Sequence, residues 1–223
     1  LIDRYWRCDS GSPAITIRRI SRWSAEHELL GYVGFNDANL NSVSTFLLDR
    51  DFVHISSRGS QNFTFRQYHA NFQPEDSLAD LSADAWSFNT SAFPSGSSYI
   101  NAWENMRYGR IDYERGILYV ADNRRVYVFD VSADLSDGQD RSENQMADRY
   151  LGVLNEGAQF LCNDGVNGDI TMEVDSQGNL YVADGCDHQL HKFMPSSPDT
   201  DGEFVAGDYV GWLGRCDSST NNA

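Results

Sequence analysis

Lysine is almost absent from this sequence, and basic residues are scarce altogether. Lys192 is the only lysine. Lysine and arginine together number 17 against 33 aspartates and glutamates, which gives a formal net charge of −16. A surface of this sign repels phosphate groups, so the composition argues against nucleic-acid binding. The simplest interpretation of the acidic excess is solubility, including in salty surroundings, and the competing one is an acidic binding face.

Long hydrophobic runs and targeting segments are also missing. No stretch of about 18 apolar residues occurs, so the sequence predicts no membrane-spanning helix. It carries no secretory signal peptide and no initiator methionine. Its first residues, LIDRYWRCDS, and its last, GRCDSSTNNA, resemble the interior of a domain. We therefore expect a fragment of a longer chain whose export signal lies outside it.

Common catalytic motifs are absent as well. The five histidines form no HExxH or other metal-ligand spacing, and there is no G-x-S-x-G motif and no glycine-rich phosphate loop. His188 and His191 are three residues apart on an expected strand, so their side chains should point to opposite faces. The sequence therefore gives no catalytic or cofactor-binding residue.

What the sequence does contain is a repeated strand–turn–strand unit. The segments IDYERGILYVAD (111–122) and VDSQGNLYVAD (174–184) both place an aspartate after an apolar residue and end in Leu-Tyr-Val-Ala-Asp. A weaker third copy is LLDRDFVHISS at 47–57. Such branched and aromatic runs around polar turns predict β-hairpins. A single hairpin is only marginally stable in water, so the copies are expected to pack on one another.

A second repeated element follows downstream of these units. It reads HELLGYVG, DRYLGVLN and GDYVGWLG, with the glycines aligned at Gly31, Gly152 and Gly211. We interpret it as the last strand of each unit. The unit that begins near residue 43 shows no copy of the element where one is due, close to Phe93.

An insertion is predicted where that copy is missing. In PEDSLADLSADAW, Leu78, Leu81 and Ala85 recur at helical spacing after a proline, which predicts a short helix near 74–90 inside an insertion at 74–106. The insertion also holds a cluster of aromatics that are expected to be exposed. They would either cap the packed repeat units or form a contact surface. These aromatics are Trp86, Phe88, Phe93, Tyr99 and Trp103.

Four antiparallel strands per unit, rich in aromatic and turn residues, are typical of a β-propeller blade. The sequence thus predicts one all-β propeller region over 1–223, with blades of about 60 residues. Blades are expected at 43–107, 108–154 and 168–213, with a half-blade at 14–34. The half-blade would lack its first two strands. We expect these from sequence beyond the fragment or from a neighbouring subunit, because an open edge leaves backbone groups unpaired.

The stretch GNLYVADGCDHQLHKF (178–193) resembles an NHL repeat, whose blades run Gly-Asn-Leu-Tyr-Val-Ala-Asp, a short turn and an Asn-His-Arg-Leu-like strand start. Here that start is DHQL at 187–190. The resemblance spans about half the chain and is weakest over 43–69. It departs from the family in that NRR follows Asp122 without a histidine, and in blades longer than the usual length of about forty residues. It implies an NHL-like propeller of the kind found in large bacterial extracellular and surface proteins.

Two aspartates occupy matching positions at the ends of the Leu-Tyr-Val-Ala-Asp strands. Asp122 and Asp184 invite an active-site interpretation because they repeat. The simpler interpretation is structural, since an aspartate at the end of a strand accepts hydrogen bonds from turn amides. We assign both to the structural role.

The loop CNDGVNGD (162–169) contains the candidate metal ligands. Asp164, Asn167 and Asp169 offer oxygen atoms within a short glycine-containing loop, the donor type that calcium prefers. The loop lacks the EF-hand spacing and its terminal glutamate, and an Asx-rich turn is the competing interpretation. Calcium is therefore the candidate cofactor.

The four cysteines bear on the compartment. In an antiparallel blade, the loop before the first strand and the loop between the second and third strands lie on one face, which brings Cys162 near Cys186. A disulfide between them implies an oxidising compartment, and two free thiols are the alternative. Cys8 and Cys216 occupy matching RCDS contexts and remain without an assigned partner.

Two classes of function fit these features. The first is a binding or structural module of a larger extracellular, cell-surface, adhesion or appendage protein, which contacts protein or glycan ligands, other domains of the longer chain or neighbouring subunits. The second is a calcium-dependent propeller enzyme, lactonase- or lyase-like, with metal ligands and acid–base groups from several blades around the central channel. No repeated inward set of such residues is assignable, so we favour the first class.

Peptide mapping under non-reducing conditions should recover Cys162 and Cys186 in one linked pair of peptides. The expectation rests on the two loops sharing a face of one blade. Reduction before digestion is the control and should separate the peptides. Free thiols at both positions would remove the main chemical support for an extracellular location.

Overall fold

The computed structural model describes most of the chain, with gaps. The described residues are 2–4, 18–23, 29–35, 43–49, 52–58, 62–69, 82–93, 106, 108–122, 125–135, 139–154, 170–185, 188–198, 204–205 and 207–214. Within them the chain is predominantly β, which confirms the predicted all-β class, and no sheet closes on itself. The calcium candidates Asp164, Asn167 and Asp169 and all four cysteines lie outside the described residues.

The first two sheets are formed by the N-terminal half of the chain. Three antiparallel strands form the first sheet: β1 (Ile2–Arg4), β2 (Arg18–Trp23) and β3 (Leu29–Phe35). Four antiparallel strands in chain order form the second sheet: β4 (Val43–Asp49), β5 (Phe52–Arg58), β6 (Phe63–His69) and β7 (Ser82–Phe88). A short 3-10 helix, Thr90–Ala92, follows the second sheet and begins after the capping residue Asn89.

The third sheet has the same meander order. Its first three strands are β8 (Tyr108–Asp112), β9 (Ile117–Ala121) and β10 (Val126–Asp130). The chain then forms β11 (Asp140–Arg141), which pairs in parallel with β7 and extends the second sheet, and α1 (Glu143–Ala147). The fourth strand is β12 (Tyr150–Val153).

The fourth sheet repeats this order once more. Its strands are β13 (Ile170–Val174), β14 (Leu180–Asp184), β15 (Gln189–Phe193) and, after a small hairpin, β18 (Tyr209–Gly214). The hairpin consists of β16 (Ser197–Pro198) and β17 (Phe204–Val205).

The third sheet is buried on both faces. Leu118 and Val120 join an aromatic core shared with the second sheet, whereas Tyr119 and Ala121 pack against the fourth sheet. Residues along a strand alternate between faces, so a strand covered on both sides must be apolar throughout. This is why ILYVA at β9 is an uninterrupted apolar run, and all five of its residues are buried.

The alternating apolar side chains of the repeated strands are predicted by the sequence to fill the space between neighbouring units, and the structure confirms this for six of them. Each has an apolar side chain that alternates into a space between sheets, and each is fully buried. They are Leu118, Val120, Val128, Leu180, Val182 and Phe193.

The predicted helix and insertion at 74–106 are wrong over the described residues of that segment. Residues Ser82–Phe88 form β7, the fourth strand of the second sheet. The alternating Trp86 and Phe88 enter the core, and β7 pairs with β6 along its length, so burial and pairing override the helical spacing. Leu78 and Leu81 lie outside the described residues.

The aromatics assigned to that insertion are not exposed where the structure describes them. Trp86, Phe88 and Phe93 lie in the core between the second and third sheets. The rings of Phe88 and Phe129 meet edge to face, with their centres 4.9 Å apart. Tyr99 and Trp103 lie outside the described residues. The expectation failed because β7, the fourth strand of the second sheet, lacks the glycine that marks the last strands of the other sheets. Its aromatic residues were therefore not recognised as part of a strand.

The half-blade expected at 14–34 is also corrected. It contains β2 and β3, as predicted, but a third strand, β1, pairs with β2 on its other side. Asp3 lies opposite Arg19, just as Asp184 lies opposite Gln189 in the fourth sheet. Within the described residues the first sheet therefore has three strands, one more than the sequence predicted.

The repeated glycine marks a shared irregularity. Gly31, Gly152 and Gly211 lie in the last strands of the first, third and fourth sheets, and in each case the register shifts by one residue directly after the glycine pair. Gly152 and Gly211 have φ values of 146° and 149°, which only glycine adopts readily. The glycine element thus fixes a β-bulge in the last strand of each of these three sheets.

A buried ion cluster holds the connection between β10 and β12. The Asp134 carboxylate accepts hydrogen bonds from Arg141 Nε at 3.0 Å and from Arg149 Nε and Nη2 at 3.0 and 2.9 Å. Burial alone would raise the pKa of Asp134, but these hydrogen bonds and charges outweigh it and lower the pKa. Since Arg141 belongs to β11, the cluster also ties this connection to the second sheet.

Replacing Gly109 with alanine should lower the free energy of unfolding by about 1–3 kcal/mol, the usual cost of overpacking. A Cβ at Gly109 would lie 2.8 Å from Phe65 Cε2, and Phe65 is fully buried. Denaturant unfolding measures the change. In a Phe65→Leu background the alanine should cost clearly less, and an equal cost in both backgrounds would contradict the contact.

Candidate functional site

The edges of the third and fourth sheets that are formed by their first strands, β8 and β13, line a polar cleft. Among the described strands of different sheets, the most extensive contacts are between β8 and β13, followed by those between β4 and β8. The cleft between β8 and β13 has a volume of about 190 Å³. Its lining residues are Arg110, Ile111, Asp112, Tyr113, Glu114, Glu173, Val174, Asp175 and Ser176.

An ion pair crosses this cleft. The guanidinium of Arg110 on β8 donates a hydrogen bond from Nη2 to Glu173 Oε1 on β13. Arg110 is buried whereas Glu173 is exposed, so a buried cation is anchored from the rim of the cleft. The pair links the first strands of two consecutive sheets.

Two carboxylates of the cleft hold the turns that follow these strands. Asp112 Oδ1 accepts hydrogen bonds from the amides of Glu114 and Arg115 at 3.1 and 3.2 Å, and Asp112 Oδ2 accepts one from Arg115 Nη1 at 3.0 Å. Arg115 Nη2 then donates to the carbonyl of Gln177 at 2.9 Å, which connects this turn to the next sheet.

Asp175 has the same role in the fourth sheet. Its carboxylate accepts hydrogen bonds from the amides of Gln177 and Asn179, both at 2.9 Å, and from Asn179 Nδ2 at 2.8 Å. The Asn179 hydrogen bonds lead the contributions that lower the pKa of Asp175. Both aspartates thus accept hydrogen bonds from the amides of their own turns, which is an Asx-turn arrangement.

Asp122 and Asp184 lie at the ends of the second strands. Asp122 Oδ1 accepts from the Arg125 amide at 2.6 Å and Oδ2 from the Tyr127 hydroxyl at 2.7 Å. Burial, followed by the Asp122 charge, raises the pKa of Tyr127, so this phenol stays a neutral donor. Asp184 is buried and lies opposite Gln189. The contacts of Asp122 are those of a carboxylate that stabilises a turn.

A buried hydrogen-bonded group connects the second sheet to the cleft. His54 on β5 and Gln67 on β6 lie directly opposite each other, and both reach the Tyr113 hydroxyl of the third sheet. His54 Nε2 is 2.7 Å and Gln67 Nε2 is 2.9 Å from that oxygen. Burial, followed by the charge of Arg110, lowers the pKa of His54 to about 3. The imidazole is therefore neutral near neutral pH.

Sequence reasoning missed Arg110, Glu173, His54 and Tyr113. Their partners are 46 to 63 residues away in the chain, and no local motif marks such pairs. The only local signal was the repeated aspartate after an apolar residue, at Asp112 and Asp175. The cleft offers charges of both signs to a polar ligand, with Glu114 and Ser176 exposed at its rim.

Over the portion of the chain that the structure describes, no three histidine, cysteine, aspartate or glutamate side chains are grouped to hold a metal ion. None of the helices described is long and apolar enough to cross a bilayer. Comparison with protein-family models and with curated protein sequences found no match.

Replacing His54 with glutamine should reduce the loss of stability on acidification. The unfolded chain binds a proton at this imidazole below about pH 6.5, whereas the folded chain does so only near pH 3. Stability therefore falls as the pH drops through this window, by up to about 1.4 kcal/mol per pH unit for this group.

Denaturant unfolding between about pH 6.5 and about pH 5 measures this slope before most carboxylates titrate. The matched control is His188→Asn, which removes an exposed imidazole at a left-handed position (φ 54°) that asparagine tolerates. If the two variants change the slope equally, His54 has no special effect on it.

Proposed function

We propose that this chain is a β-propeller module that supplies structural support and ligand contacts within a larger extracellular or cell-surface protein. The observation that carries the proposal is the stacking of consecutive sheets. The second, third and fourth sheets are meanders in chain order, and each buries a face against the next. Their first strands make the most extensive contacts between strands of different sheets in the described part of the chain. Blades that radiate from a central axis have this geometry.

The inner edge supports a scaffolding and binding role. Asp112 and Asp175 hold consecutive turns, and Arg115 joins one turn to the next through the Gln177 carbonyl. Turns tied in this way keep a fixed spacing, which is what a surface for protein or glycan ligands needs. We propose as partners such ligands, other domains of a longer chain and neighbouring subunits.

The extracellular assignment rests on chemistry that the sequence supplies. The acidic composition, the pair Cys162 and Cys186 and the resemblance to NHL repeats of bacterial surface proteins point in the same direction. Calcium bound by Asp164, Asn167 and Asp169 would act in this setting as a structural ion of the loop.

The radial arrangement is tested by distances between pairs of genetically encoded spin labels. Glu114 and Gln177 mark the turns after the first strands, and Leu151 and Val210 occupy equivalent bulge positions in the fourth strands. The separation of the inner pair should be clearly shorter than that of the outer pair, because blades diverge outward. Equal separations of the inner and outer label pairs would indicate parallel layers of sheets and would contradict the propeller.

The binding role is tested with a glycan array and a panel of lactones and polyuronides, each with calcium and with a chelator. Binding without turnover supports the module. Turnover that disappears with the chelator would instead favour a calcium-dependent lactonase- or lyase-like enzyme.

A further inference from the structure

The fourth sheet packs one face on the third sheet, and none of the residues that the structure describes packs on its other face, which is called the uncovered face below. Strand pairing arranges the uncovered face in two rows. One row is polar: Glu173, Tyr181, Lys192 and Gly211. The other is largely apolar: Thr171, Ala183, Leu190 and Leu213. In the apolar row Leu190 is 38% and Leu213 is 75% exposed.

The corresponding face of the third sheet is a buried interface with the fourth sheet. By strand pairing and the shared glycine bulge, Tyr181 and Ala183 match Tyr119 and Ala121. In the same way Leu190 and Lys192 match Val126 and Val128. All four positions of the third sheet are fully buried beneath the fourth sheet. The uncovered face is therefore the structural equivalent of an established interface.

We propose that two copies of this chain associate through this face of the fourth sheet. The pairing is argued from the two rows alone and does not depend on the propeller proposed above. A two-fold axis parallel to the strands reverses the strand order and keeps each row opposite itself. Ala183 then lies opposite Leu190 of the second copy, so small side chains meet large ones, as close packing requires.

The polar row is complementary under the same axis. Lys192 Nζ lies 5.3 Å from the centre of the Tyr181 ring in its own sheet, and in the pair it faces Tyr181 of the second copy. A cation over an aromatic face is attracted by the ring electrons. Glu173, whose carboxylate is paired with Arg110 across the cleft, lies opposite Gly211, which has no side chain to clash with it. No two like charges of the row face each other, so the row adds no repulsion.

The size of the face sets the strength of the association. Four strands about 4.8 Å apart, each with five residues rising about 3.4 Å, span roughly 19 by 17 Å. Such a face has an area of roughly 320 Å² per copy, less than half of the roughly 800 Å² that each partner buries in a standard stable interface. The net charge of −16 opposes association and is screened by salt. The dimer is therefore weak and becomes stronger as salt is added.

Sedimentation equilibrium of the 223-residue chain over low to high micromolar concentrations tests the proposal. A monomer–dimer equilibrium is expected, with a dissociation constant that falls as salt is raised. Leu213→Glu should raise this constant at least about tenfold, because it places a charge in the apolar row. Ala183→Glu, on a different strand of the same row, should do the same.

The matched control is Ala133→Glu, the same type of change at an exposed position in the turn after β10, which should leave the constant within about twofold. Far-ultraviolet circular dichroism and thermal melts at low concentration confirm that each variant is folded. A monomer at every concentration, open assemblies larger than a dimer, or equal weakening by all three variants would overturn the proposal. The label distances within one copy are read separately at low concentration, so either proposal can fail without the other.

Discussion

The burial of both faces of the third sheet is the constraint on which the rest of the structure depends. Leu118, Val120 and Phe129 fill one side and Tyr119 and Val128 fill the other. Each fully buried side chain of this size contributes about 1.5–3 kcal/mol. Because the sheet is held from two sides, its turns and edges keep fixed positions, and the polar contacts at its β8 edge become possible.

Those polar contacts lie where apolar packing ends. Arg110 and Glu173 join the first strands of consecutive sheets, and Asp112 and Arg115 join consecutive turns. His54 brings a neutral imidazole from the second sheet to the Tyr113 hydroxyl beside the same cleft. A buried polar group is costly unless it is hydrogen-bonded, so each of these contacts restricts how the sheets can sit. The turns beside the cleft are therefore tied to the stacked sheets, as the proposed binding role requires.

The third and fourth sheets show how much a strand depends on its neighbours. Tyr119 and Tyr181 occupy the same position in the same Leu-Tyr-Val-Ala-Asp strand. Tyr119 is fully buried, and burial raises the pKa of its phenol, whereas Tyr181 is only partly buried and lies under Lys192. The alternation of side chains is a property of the strand, but its energetic value depends on what covers it.

The sequence by itself determined the features that depend on contiguous residues. The hairpins around Asp112, Asp175 and Asp122, the glycine bulge and the apolar run of β9 follow from turn chemistry and side-chain alternation within about a dozen residues. Only the tertiary structure decided the rest. It made a strand of Ser82–Phe88 because that segment meets both the edge of β6 and an aromatic core, and it brought His54 to Tyr113 across 59 residues. Contacts of this kind leave no local pattern, because their energy appears only when distant segments of the chain meet.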